Sequence, residues 1–174
     1  MSLFKCSLLS CVFVAASAVN AADMGKVIFT GEIVERTCEV PASQLTRTIT
    51  LPSIGQATLS SAAENEAVTG ATMPLQFDVT NCPSTVKRVG IRFDYTADTA
   101  YSTYMANEGK ATGVLLGISK DADTVAIATG SSVDAESIDS GAATVKAKVN
   151  AYRTSATVTA GDIASTATVT VNYD

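Results

Sequence analysis

The chain contains no histidine and no tryptophan, and only 17% of its 174 residues are charged. Without histidine, neither a Ser-His-Asp nor a Cys-His nucleophilic arrangement can be assembled. No serine sits in a G-x-S-x-G elbow either. Basic residues are scarce: 12 Lys and Arg stand against 17 Asp and Glu, for a formal charge of −5. They form no cluster suited to nucleic-acid phosphates or to anionic lipid. Asp121 and Asp123 have the spacing that opens a calcium loop, but its later Asp/Asn, Gly and Glu positions are missing. Glu64 and Glu66 are a carboxylate pair of the ordinary surface kind and give no support to glycosidase chemistry. The expectation is a protein without enzymatic activity, metal or cofactor.

Long apolar runs are also lacking. The stretch from Leu8 to Ala18 is too short to span a bilayer. With Lys5 before it and Val19-Asn20-Ala21 after it, this stretch reads as a secretory signal peptide over residues 1–21, cleaved before Ala22. Cleavage after Ala18 also satisfies the small-residue rule, through Ala16 and Ala18. About 150 residues remain, enough for one domain with its own core. Loss of Lys5 moves the formal charge to −6. Cys6 and Cys11 leave with the signal. Cys38 and Cys82 remain as an even pair in an exported chain, without CxxC spacing, and are read as a disulfide. Closing a loop of that length stabilises a fold by roughly 4 kcal/mol in the chain-entropy model.

What is present is short runs of Val, Ile, Thr and Tyr between Gly, Asp, Asn, Ser and Pro, the spacing of an all-β sandwich. Strands are predicted over 26–35, 47–51, 73–80, 88–96, 113–119, 125–128 and 143–152. Segments 97–112 and 131–141 read as polar, solvent-facing loops. The Ala- and Glu-rich stretch 60–67 is the only helix-like one, and it fits a loop equally well. The last nine residues alternate strictly, with Ala167, Val169, Val171 and Tyr173 on one face and threonines and Asn172 on the other. That pattern marks a half-buried strand, yet no later segment exists to pair with its free edge. Near the other end, Gly25, Val27, Phe29, Gly31 and Ile33 also share one strand face. A sandwich short of its last strand, with a strand-like arm at its start, is expected to be completed by a neighbour.

Five segments carry a family likeness in order. Gly25-Lys-Val-Ile-Phe-Thr-Gly-Glu-Ile33 leads to Cys38-Glu-Val40, and Leu75-Gln-Phe-Asp-Val-Thr-Asn-Cys82 follows. Thr112-Gly-Val-Leu-Leu-Gly-Ile118, Lys146-Ala-Lys-Val-Asn-Ala-Tyr152 and Val158-Thr-Ala-Gly161 come after, with Gly161 fourteenth from the C-terminus and Tyr173 next to last. Over nearly all of its mature length the chain resembles the pilin subunits of chaperone–usher fimbriae. The resemblance implies an incomplete immunoglobulin-like sandwich lacking its final strand, bridged by Cys38–Cys82 and completed by a donated strand. It further implies a donor arm within residues 22–37 anchored by Gly25, Val27 and Phe29, and a pilin domain over 38–174. Gly161, Ala167, Val169, Val171 and Tyr173 would form the groove strand. The implied partners are a periplasmic chaperone, an outer-membrane usher and neighbouring pilins, on the route to a fimbrium on the bacterial surface. With cleavage before Ala22, Asp23 takes the first inward position of the arm, where the family more usually has an apolar residue. Two rival readings are a minor, adaptor or terminating pilin, and a self-contained secreted sandwich that binds a small ligand.

Overall fold

The computed structural model describes residues 38–174. The expected signal peptide, the strand over 26–35 and the arm residues Gly25, Val27 and Phe29 lie outside the described residues.

Two antiparallel sheets enclose one main core. The larger places β6 (Ala142–Arg153) between β1 (Ala67–Val79) and β3 (Val114–Lys120), with the two-residue β5 (Ile138–Asp139) also on β6. The smaller places β2 (Val89–Tyr95) between β4 (Ser131–Asp134) and β7 (Ala167–Tyr173). Period-two alternation turns every second apolar side chain inward. Leu75, Phe77 and Val79 of β1, Val145, Ala147 and Val149 of β6 and Leu116 and Ile118 of β3 thereby share the core with Ile91 and Phe93 of β2. The Phe77 and Phe93 rings meet edge to face at 6.0 Å. This two-sheet, immunoglobulin-like arrangement is the all-β fold expected from the spacing of the strands.

Cys38 and Cys82 are bonded. Beside the bridge, Glu39 and Thr80 exchange backbone hydrogen bonds of 2.8 and 2.9 Å, fixing the start of the described chain to the end of β1.

Several predicted elements differ from those observed. Segment 47–51 alternates as predicted, but it is no strand, because its backbone makes no hydrogen bond to another described residue. Alternation specifies an extended chain; a ladder also needs a partner. Segment 125–128 is likewise no strand. It belongs to a loop laid over the outer face of the larger sheet, bonded to that sheet chiefly through side chains. The Tyr152 hydroxyl donates to the Thr124 carbonyl at 2.6 Å and the Ser119 hydroxyl to the Asp123 carbonyl at 3.0 Å. This cover buries Ser119, Asn150 and Tyr152 on a face that should otherwise be wet. The predicted loop 131–141 holds β4 and β5, and Val133 alone secures β4 to the core. Loop 97–112 is not wholly solvent-facing, since Tyr104, Met105 and Ala111 are buried. The helical turn is α2 (Gln56–Ser61), earlier than the Ala/Glu stretch, and a second one-turn helix, α1 (Ala42–Leu45), was not signalled. β1 begins six residues before its predicted start, crossing a bulge between Ala67 and Thr72 where Gly70 takes a φ of 79°.

Candidate functional site

β7 pairs along one side only. Its ladder runs to β2, from Tyr95↔Ala167 through Phe93↔Val169 and Ile91↔Val171 to Val89↔Tyr173, and no described strand lies on its other side. Backbone groups on that side are unpaired among the described residues, which is the usual template for strand addition.

Across a gap from β7 runs segment 47–54, with Ile49, Leu51 and Ile54 turned toward the core. Between these walls lie two adjoining cavities of ≈ 570 and ≈ 440 Å³, which share Thr48, Ile49, Leu51, Leu116 and Ser165. The floor of the smaller one is apolar and comes from both sheets: Leu75, Phe77, Phe93, Ile118 and Val149, with Met105 from the long loop. The larger one ends against Leu59, Val114, Val158 and Ile163. A trough with an apolar floor, between walls whose facing edges carry no ladder among the described residues, suits an extended chain with alternate apolar side chains.

Side chains hold the second wall in place. Gln44 and Asp78 bond reciprocally: Gln44 Nε2 donates to the Asp78 carboxylate at 3.0 Å and the Asp78 amide donates to Gln44 Oε1 at 2.7 Å. Donation from Gln76, then from Gln44 and Thr144, holds the Asp78 carboxyl below the usual carboxylate range, against a smaller opposing effect of burial. Arg47 lies over the Phe77 ring, 5.0 Å from its centre, and donates to the Gln76 carbonyl at 3.1 Å. Farther along, Gln56 Nε2 donates to the Val158 carbonyl at 2.9 Å.

Ala167, Val169 and Val171 are half-buried and packed against the core, while Thr168, Thr170 and Asn172 are exposed. Tyr173 is 38% exposed at the far end of the strand. Gly161 lies in the lead-in to β7, where a Cβ would come within 2.5 Å of the Ala111 nitrogen. Any side chain there would push segment 110–111 away from the end of the groove. Cys38 and Cys82 do not line the trough. Sequence reasoning missed most of its lining: Ile49 and Leu51 carried an alternation signal, whereas Arg47, Leu59 and Met105 carried none. Among the described residues no group of His, Cys, Asp and Glu suited to a metal occurs, and no helix is long and apolar enough to cross a membrane.

Comparison with known proteins gives this geometry a family. Residues 27–174 match the family described as fimbrial protein. The chain is 30% identical over 167 residues to the F17 fimbrial protein of Escherichia coli, covering 91% of this chain and 92% of that protein. It is 32% identical over 192 residues to the minor fimbrial subunit HifD of Haemophilus influenzae, covering 99% and 83%. The crystal structure of the P pilus rod subunit PapA superposes with a TM-score of 0.64 at 17% identity, over 80% of this chain and 100% of that one, a likeness of fold. The chain belongs to the fimbrial protein family and is a structural fimbrial subunit, a pilin.

Proposed function

We propose that this subunit polymerises by strand donation: a neighbour's arm fills the trough beside β7, and its own Gly25, Val27 and Phe29 fill the next. The observation that carries this reading is the half-exposure of Ala167, Val169 and Val171 on a strand with one side unpaired among the described residues. An added strand satisfies the free backbone groups and covers the apolar floor at once. If it buries several hundred Å² of apolar surface, ~25 cal/mol per Å² gives on the order of 10 kcal/mol before ordering costs. Before assembly the same trough would be covered by a strand lent by a periplasmic chaperone, and exchange would take place at an outer-membrane usher. Residues 1–21 serve as the export signal on this route, and the finished polymer stands on the cell surface as a fimbrium that supports adhesion.

The test compares two arm variants. Phe29→Asp puts a charge into the next groove, and Gly25→Leu adds bulk where the arm is expected to pass a narrow point. Both variants are expected to form one-to-one chaperone complexes in normal yield yet fail to enter a heat-resistant polymer. Loss of the chaperone complex together with the polymer would mean that the arm is instead a strand of its own subunit.

A further inference from the structure

Among the described residues lining the two cavities of the trough, Arg47 is the only charged one. Its guanidinium is held in place by the Phe77 ring and the Gln76 carbonyl. Phe77 meets Phe93 across the core, and Phe93 is the ladder partner of Val169. Arg47 and Val169 line the same cavity, one on each wall.

The sequence of the arm has a matching peculiarity. Of the positions sharing the Gly25 face between 23 and 33, only Asp23 is charged. Both candidate signal cleavage sites leave Asp23 in the mature chain. We infer that the strand filling this trough comes from a second copy of the same chain, with Asp23 of the donor against Arg47 of the acceptor.

The pairing defines one register. Sheet β4-β2-β7 is antiparallel throughout, and a strand continuing it runs opposite to β7. With Asp23 at the level of Val169, two-residue steps bring Gly25 to Ala167, Val27 to Ser165 and Phe29 to Ile163. Ile163, Ser165, Ala167 and Val169 are all half-buried and in phase. Ser165 and Ile163 border the larger cavity, so the apolar side chains of Val27 and Phe29 enter the roomier part of the trough. In the opposite direction Val27 would reach Tyr173 and Phe29 would run past it, away from that cavity. One register thus meets the charge and the volume together.

In the open trough Arg47 is exposed, and an ion pair there would contribute little. A strand laid across it excludes water, and the Asp23 carboxylate would then be an uncompensated buried charge without its partner. The pair also acts on selection, since an arm with a basic residue at this position would meet Arg47 with like charge.

This inference rests on the strand-donation reading, and the experiment separates the two. Asp23→Arg, Arg47→Asp and the double charge swap are made in the full chain, in the cell that assembles the fimbria, with Phe29→Asp alongside. The readout is the detergent-resistant ladder of polymer relative to exported subunit. Each single swap is expected to lower the ladder about tenfold, and the double swap to return it to within about twofold of wild type. Single swaps without effect, while Phe29→Asp abolishes the ladder, would overturn the pairing and leave strand donation standing. An unchanged ladder with Phe29→Asp would overturn strand donation and the pairing with it. If Arg47→Asp lowers the ladder but Asp23→Arg does not, the trough takes the arm of a different subunit and the second-copy assignment fails. If Arg47→Asp subunit does not accumulate, Arg47→Gln is combined with Asp23→Arg. Removing the repulsion is expected to recover much of the ladder lost by Asp23→Arg alone, and no recovery would overturn the pairing.

Discussion

β2 and β7 are neighbours in one sheet, carry the same alternation and pair residue for residue, yet they are buried to very different degrees. Val89, Ile91 and Phe93 are at most 1% exposed. Their direct partners Tyr173, Val171 and Val169 are exposed or half-buried. The side chains do not explain the difference, because valines occur on both strands. What differs is flanking cover. Among the described residues, β2 has β4 on one side and β7 on the other, while β7 has only β2. A strand at the edge of an open trough holds its apolar face against the core from one side and leaves the other side to water. Polymer subunits can use that deficit: the surface left uncovered in the isolated chain is the surface that an added strand can cover.

The sharpest way to break the comparison is to truncate a large side chain on each strand in turn. Phe93→Ala is expected to destabilise the isolated subunit by about 3–5 kcal/mol, the range for a fully buried aromatic, read from denaturant unfolding. Cys82→Ser comes next. Opening the bridge is expected to cost about 4 kcal/mol in the chain-entropy model, and, because the bridge lies outside the trough, to leave the contrast between β2 and β7 unchanged. Val169→Ala is smaller, about 1 kcal/mol in the subunit with an open trough. It is expected to rise to about 2 kcal/mol once an arm peptide of residues 22–33 fills the trough, since the same methyl groups become fully buried. An equal cost in both states would show that the trough gains no cover from the added strand.

The smallest effect concerns the wall opposite β7. The Asp78 carboxyl has a lowered pKa in the fold, so its contribution is present above the unfolded value of about 3.9 and lost as pH falls through the folded value. Because Asp78 is only half-buried, the global stability change is expected to be slight. The local change is more visible: protection of the amides in residues 42–47, relative to their intrinsic exchange rates, is expected to fall as pH drops below about 4, and Asp78→Asn to remove that pH dependence. The amides of β2 are expected not to respond.

Much of the fold was legible because its signals are local. Strict alternation over 88–96 and 143–152 marked β2 and β6 to within a residue or so, and the terminal run marked β7 as half-buried. The even cysteine pair in an exported chain pointed to the bridge that is present. The less legible parts depended on distant partners. Ile49 and Leu51 alternate like strand residues, but nothing local reveals that no described strand lies beside them. Ser131-Ser-Val-Asp134 looks like a loop, and it is a strand because β2 offers an edge for it to pair with. Met105 and Leu59 line the trough from segments whose own patterns point nowhere.

The sequence by itself determined that the chain is all-β, which faces of its main strands are apolar and which two cysteines join. Side-chain period, turn residues and cysteine count are properties of a chain read a few residues at a time. Only the tertiary structure decided which strands have neighbours on both sides, which loops fold back over a sheet, and that Arg47 is the one charge among the described residues lining the trough. Burial and pairing depend on residues far apart in the chain: Phe93 and Val169 are 76 positions apart in sequence but adjacent in the ladder, and a local pattern carries no record of what will lie beside it.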